Sequence, residues 1–391
     1  MLTALINGRV MLDSGVVEGR CVLLQADRIV DVVRDTDPRC RTARRRDLGG
    51  MLLLPGFIDT QVNGGGGVLF NDDPSVESIA AIGRAHRRFG TTGFLPTLIS
   101  DDLHVVERAI DAVRDAIAQG VPGVLGIHIE GPFLSNERRG VHDSSKLRSL
   151  DGDAVDLLST PHGGLTMVTL APERTTPAII RALSDAGVIV SAGHTNATYE
   201  ELQPALAAGV RGFTHLFNAM SQLTSREPGA VGAALAHPDS WVGLIVDGHH
   251  VHPEVLKIAL RAKQLNRFML VSDAMPSVGA ETKSFEIQGR TITVNGDKIV
   301  DDEGRLAGAH LDMASAVRNT CQTLGIPLVE AVRMASRNPA EFLKLGDKMG
   351  RIAPGQRADL ALVDDELNVR ETWIGARSSV SESASALIAS A

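Results

Sequence analysis

The chain has 391 residues, 43% of them hydrophobic, with a formal net charge of −8 and a pI near 5.8; it can bury a large core, and its acidic balance excludes the basic face a nucleic-acid partner needs. No stretch approaches the ~20 apolar residues of a membrane span, and the opening MLTALINGRVML lacks the basic start of a signal peptide, so a cytoplasmic location is expected. The three cysteines, Cys21, Cys40 and Cys321, are widely spaced with no CxxC, which excludes a disulfide framework or a cysteine zinc site.

Residues 2–33 alternate strand-like runs with turns, and the Asn7-Gly8 and Asp27-Arg28 junctions suggest antiparallel hairpins. The basic run Arg39 to Arg46 is cut off by Asp47 and reads as a solvated loop or strand edge. From Leu52 the pattern changes to short apolar runs alternating with helix-length segments. The expected strands are 52–59, 92–98, 124–130, 166–170, 188–192, 210–214, 242–246 and 268–272. Between them the periodicity predicts helices over 76–89, 103–119, 176–186, 199–208 and 253–263. Eight such units match the length of a (β/α)8 TIM-like barrel, against the alternative of an open doubly wound sheet.

A second antiparallel patch is expected near 280–305, with a turn at Asn295-Gly296. Helices over 312–324 and 328–337 follow, and ADLALV at 358–363 can return to pair with the first hairpins. The expected organisation is α/β. Segments 1–52 and 348–376 form a small discontinuous β-sandwich domain, 53–347 the barrel, and 377–391 (RSSVSESASALIASA) a flexible Ser/Ala-rich tail.

Several predicted strands end in side chains able to bind a metal or move a proton. VLGIHIE ends at Glu130 before a Gly-Pro stop, VIVSAGH at His194, VRGFTH at His215 and FMLVSD at Asp273. A lone histidine after a strand is usually a hydrogen-bonded loop residue. One carboxylate and two imidazoles at the carboxyl ends of barrel strands are instead a catalytic zinc set with one position left for water. Asp273, ending the eighth strand, is placed to take the water's proton and return it to a leaving amine. Gly64 to Gly67 has neither the P-loop lysine nor GxGxxG spacing, so a close-packed turn is expected there.

The runs PGFIDTQVNG (55–64), HIEGPF (128–133), AGHTNA (192–197), THLFNAM (214–220), DGHHV (247–251), VSDAM (271–275), LAGAHL (306–311) and GRIAPGQRADL (350–360) together resemble the amidohydrolase superfamily. HLFNAM and HIEGPF resemble its N-acetylglucosamine-6-phosphate deacetylase branch. The resemblance implies hydrolysis of the acetamide of an N-acetylated amino-sugar phosphate, in amino-sugar catabolism and cell-wall recycling. It implies one divalent metal ion per subunit, zinc first, with Fe2+, Mn2+, Co2+ or Cd2+ as alternatives. The His-x-His pair with which many relatives hold a second metal is replaced here by Gln61 and Asn63, whose amide oxygens are weak zinc ligands.

For the substrate, the resemblance implies contacts from Val141, His142, Asp247 and the His249-His250 pair to the sugar and acetyl group, with His250 matching the family's substrate histidine. It assigns Asn218, Ala219 and Arg226 to the phosphate, and Leu306, Ala307 and Gly308 to framing the substrate. It further implies a homodimer in which Arg226 reaches the neighbouring subunit's site; otherwise Arg226 is one more solvated arginine. His249, taken alone, reads as a loop residue. Two competing readings stay open. One is another metal-dependent amidohydrolase, an N-acyl-amino-acid deacylase or a cyclic amidase. The other is a catalytically dead scaffold, against which the presence of Glu130, His194, His215 and Asp273 counts.

Overall fold

The structure, a computed structural model, describes residues 1–281 and 284–380. The chain packs as two compact units: Met1–Ile58, His86–Gly93 and the chain from Met313 onward make one, and Asp59–Ala85 with Phe94–Asp312 make the other.

In the first unit β1 (Leu2–Leu12), β2 (Gly15–Gln25) and β3 (Arg28–Arg34) form an antiparallel meander. Asn7-Gly8 is no junction between strands. It lies inside β1 as a bulge, with Asn7 at φ 56° and the register slipping between Leu5 and Gly8. The first turn falls between Leu12 and Gly15, while the second, between Gln25 and Arg28, sits at the expected Asp27-Arg28 junction. The basic run is split, its first half a short helix (Arg39–Thr42) and its end the exposed strand β4 (Arg44–Asp47), and β4 and β5 (Leu52–Pro55) lie parallel to successive halves of β1.

LLLPGFID, expected as one strand, is two. It breaks at Gly56, where a Cβ would lie 2.0 Å from the Thr92 hydroxyl, and β6 (Phe57–Val62) begins beyond it. A short hairpin, β7 (Gly64–Gly65) and β8 (Val68–Leu69), follows. Gly66 and Gly67 form its turn at φ 63° and 87°, so the glycine run is a tight turn, as expected.

The other barrel strands are β9 (Thr91–Ile99), β10 (Gly126–Glu130), β11 (Leu165–Leu170), β12 (Ile189–Ala192), β13 (Val210–Phe213), β14 (Trp241–Leu244) and β15 (Phe268–Leu270). The sheet runs β6-β9-β10-β11-β12-β13-β14-β15, with parallel pairing from β9 to β15. A parallel bridge from Val62 to Ala274 joins its two ends, the expected barrel. Helices lie where the periodicity put them, and those starting at Pro177, Tyr199 and Pro253 carry side-chain caps from Thr176, Thr198 and His252. Tyr199–Ala208, for example, starts at a capping box between Thr198 and Glu201. Among the described residues four α-helices, Arg39–Thr42, Gly152–Leu158, Gly229–Ala236 and Arg337–Phe342, have no counterpart in the expected set. GAVGAALA is apolar on every side and mostly buried, so it shows no periodicity to read.

After β15 come β16 (Ser284–Ile287), β17 (Arg290–Asn295) and β18 (Lys298–Val300), the expected antiparallel insertion, turning beyond Asn295 at Gly296-Asp297. The chain then returns to the first unit's sheet. β19 (Leu360–Val363) pairs with β5, β20 (Val369–Ile374) with β19, and β21 (Arg377–Ser378) with β20. Strands from both ends of this sheet share one core, in which Leu24 and Ile29 cluster with Leu360 and Trp373. Arg377 and Ser378 thus belong to a strand; the tail expected beyond 380 lies outside the described residues.

Candidate metal centre and active site

The strand ends converge. Glu130 closes β10, while His194, His215 and Asp273 follow β12, β13 and β15 in left-handed backbone at φ 47°, 31° and 50°. That conformation costs a non-glycine residue free energy and collects at functional sites. It turns each side chain inward from the strand end. All four are buried.

Glu130 Oε1 lies 3.1 Å from His215 Nε2 and 3.3 Å from His194 Nε2, and the two Nε2 atoms are 3.1 Å apart. Tetrahedral zinc with bonds of about 2.0–2.2 Å would set its ligands about 3.3–3.6 Å apart, so the triangle fits such an ion with little adjustment. Two imidazole lone pairs facing at this distance require a cation or a proton between them. His194 Nδ1 donates to the Arg138 carbonyl at 2.9 Å, which leaves its Nε2 as the ligand atom. Burial pushes Glu130 up, but the two histidines overcome it and hold the carboxyl well below the usual range. Burial lowers His215, and the Glu130 carboxylate more than restores it.

Gln61 and Asn63 line up as donors. Gln61 Nε2 donates to Glu130 Oε1 at 3.0 Å and to Asp273 Oδ1 at 3.1 Å, and Asn63 Nδ2 donates to Asp273 Oδ1 at 2.7 Å. Both side chains thus turn an N–H, not an amide oxygen, toward the carboxylates. Burial, then the charge of Glu130, pushes Asp273 up to about 6.

A cavity of about 210 Å³ opens over the triad, and Asn63, Val141, His142, Asn218, Ala219, His250, Asp273, Leu306 and Gly308 line it. His142 Nδ1 accepts from the Ser100 hydroxyl at 2.7 Å and backbone N–H at 3.3 Å, so its ring proton is on Nε2. Burial, reinforced by His194, lowers its pKa to about 3; the ring is a neutral donor. His250 Nδ1 pairs with Asp247 Oδ2 at 2.6 Å. Burial would raise Asp247, yet His250 holds it at about 2. Gly308 tolerates no side chain, since a Cβ would meet Met275 Cε at 2.6 Å.

Five of the sequence-named residues do not line the cavity, His249 among them. Gln61 supports the carboxylates from below and Asp247 orients His250. Ala307 is buried in an apolar cluster with Ile287, Ile292 and Ile299. Arg226 stands exposed on the loop after β13. The sequence reading missed Ile99, Gly140 and Met275, which line the cavity, and Ser100, which holds His142. Met275 stands inside VSDAM, a signal that was there to use; Ser100 carries none. It also missed a buried polar chain beneath Glu130, in which His128 contacts Thr169 at 2.7 Å and Thr169 contacts Thr214 at 2.7 Å.

A closed parallel barrel with a Glu-His-His metal triad and a carboxylic acid at its strand ends is the frame of a metal-dependent hydrolase. The chain belongs to the amidohydrolase family, whose model matches residues 52–385. It is 44% identical to the N-acetylgalactosamine-6-phosphate deacetylase of Shewanella sp. (strain ANA-3), over 94% of each chain. The crystal structure of N-acetylglucosamine-6-phosphate deacetylase from Pasteurella multocida superposes with a TM-score of 0.93 at 34% identity, covering 97% of this chain and 99% of that one. A Mycobacterium smegmatis N-acetyl-D-glucosamine-6-phosphate deacetylase, an aspartate-to-alanine mutant in complex with N-acetyl-D-glucosamine 6-phosphate, superposes at 0.87 with 31% identity, covering 97% and 98%.

Proposed function

We propose that this chain hydrolyses the acetamide of N-acetyl-D-glucosamine 6-phosphate to acetate and D-glucosamine 6-phosphate. The observation that carries the reading is that the triad, Asp273 and two oriented histidines open into one cavity. A divalent ion, zinc first by the donor set, would be held by Glu130, His194 and His215, and supplies the Lewis acidity that makes water nucleophilic near neutral pH. Asp273 accepts the proton of the attacking water and returns it to the amide nitrogen, which cannot leave as an anion. His142, neutral and carrying its proton on Nε2, donates to the acetyl oxygen as negative charge develops there. His250, oriented by Asp247, binds the sugar.

No lysine or arginine is among the described residues lining the cavity, although the substrate carries a phosphate. That supports a homodimer in which Arg226, exposed on its own subunit, completes the neighbour's site with its planar two-toothed guanidinium. Asn218, Ala219 and Val141, with the Leu306–Gly308 segment, frame the rest of the substrate.

The relative at 44% identity favours a second substrate reading, the galactosamine epimer. Acetate release from both N-acetylhexosamine 6-phosphates and from the two unphosphorylated sugars, each with and without chelator, separates these. The expected result is chelator-sensitive turnover of a phosphorylated sugar, with the preferred epimer naming the substrate. Turnover that ignores the phosphate would turn the reading toward a general amidohydrolase.

A further inference from the structure

The three-stranded insertion β16–β18 has contacts that its own stability does not require. At the β16–β17 turn, Gln288 Nε2 donates to the Ser100 carbonyl at 2.8 Å, and Gln288 Oε1 accepts from the Asp143 N–H at 2.9 Å. Ser100 is the residue that fixes the His142 ring, and Asp143 is the next residue in the chain. One side-chain amide therefore grips the backbone on both sides of His142. Gln288 and Gly289, at φ 49° and 78°, are the two-residue turn between β16 and β17.

The opposite turn does the same for the other histidine. Asp297, between β17 and β18, accepts from His249 Nε2 at 2.8 Å. The His249 and His250 N–H groups both donate to Asp247 Oδ1 at 2.9 Å, so His249 and His250 move as one loop with Asp247. Between the two turns, Ile287, Ile292 and Ile299 pack on Ile99, Met275 and Val141, all three of which line the cavity.

We propose that β16–β18 is a brace in which Gln288 and Asp297 are positioning residues, Gln288 setting His142 and Asp297, through His249, setting His250. The proposal rests on the reading of His142 and His250 as substrate-binding groups. It gives His249 a task that its sequence alone did not suggest. The brace holds the two histidines on an otherwise separate piece of chain, so their spacing is fixed by one rigid sheet rather than by two independent loops.

The test uses the full-length protein and its variants Gln288→Ala, Asp297→Ala and Asp297→Asn. Hydrogen exchange without substrate reads the brace by itself. Gln288→Ala should speed exchange in 140–144 and leave 247–252 unchanged, Asp297→Ala should do the reverse, and Asp297→Asn, which keeps an acceptor for His249, should match wild type. Turnover of N-acetyl-D-glucosamine 6-phosphate and its galactosamine epimer should fall roughly 10- to 100-fold in kcat/KM for the two alanine variants, with metal content and melting temperature unchanged. Wild-type exchange in both segments of both alanine variants overturns the brace, and so does faster exchange spread over the whole barrel. If the exchange pattern appears but wild type turns over neither sugar phosphate, the brace stands and the substrate reading falls.

Discussion

In the proposed mechanism Asp273 takes a proton and gives it back, and a group with that task needs an affinity for the proton near the pH at which it works. Burial and Glu130 raise it to about 6 while His215, His250 and then the Asn63 amide pull it down. Asp273→Asn keeps the shape and loses the function: turnover should fall by roughly 10³-fold or more while metal content holds. A variant that keeps its metal and turns over within about tenfold of wild type would pass the role to His142 or His250. The amides at Gln61 and Asn63 make a second prediction. Their N–H groups face Glu130 and Asp273, so elemental analysis should find one tightly bound divalent ion per chain, and chelation should abolish turnover. Two stoichiometric metals would contradict it. At this scale the convergence of Glu130, His194, His215 and Asp273 was legible, because a polar residue ending an apolar strand stands out in the sequence. The direction of the amide donors was not, since it depends on carboxylates 69 and 212 residues away.

Where the first and last barrel strands meet, the seam carries one further device. Asp59 on β6 is fully buried and accepts from the Ser272 N–H at 3.2 Å, the Ser272 hydroxyl and the Gln61 N–H at 3.2 Å. Burial drives its pKa to about 7, against the pull of those three donors. The folded value lies above the unfolded one, so the stabilising contribution is full below the unfolded pKa and is lost as pH rises through about 7. Asp59→Asn cannot ionise. Relative to wild type it should therefore gain about 2 kcal/mol between pH 5.5 and pH 8, read from urea unfolding at both. A pH-independent difference would mean that Asp59 stays ionised throughout. Such cross-strand bonds explain what the element pattern could show. The barrel strands were legible because buried parallel strands are continuous apolar runs. Gly229–Ala236 was not, because a helix buried on all sides has no polar face to set its period, and the Gly56 break was hidden inside one apolar run.

For the molecule as a whole, closure of the barrel was readable only because the acid-base residues occur from the third strand to the eighth and need one sheet to meet. The chain pattern by itself did not single out a phosphate partner; Arg226 came from the resemblance alone, no lysine or arginine is among the described residues lining the cavity, and Arg226 is exposed. The proposed dimer turns this into a complementation test. Arg226→Ala should cost about 1.5–3 kcal/mol in recognition of the phosphorylated substrate, the worth of a hydrogen bond to a charged group, and leave the unphosphorylated sugar nearly unaffected. Arg226→Ala and Asp273→Asn are then each nearly inactive at low substrate for different reasons. If Arg226 acts across a two-fold interface, a mixed dimer has one site with an intact Asp273 from the first variant and an intact Arg226 from the second. Random subunit exchange makes half the dimers mixed, so the mixture should recover roughly a quarter of wild-type kcat/KM. If Arg226 serves its own subunit, no mixed dimer contains a complete site, and mixing should restore nothing above the sum of the two variants.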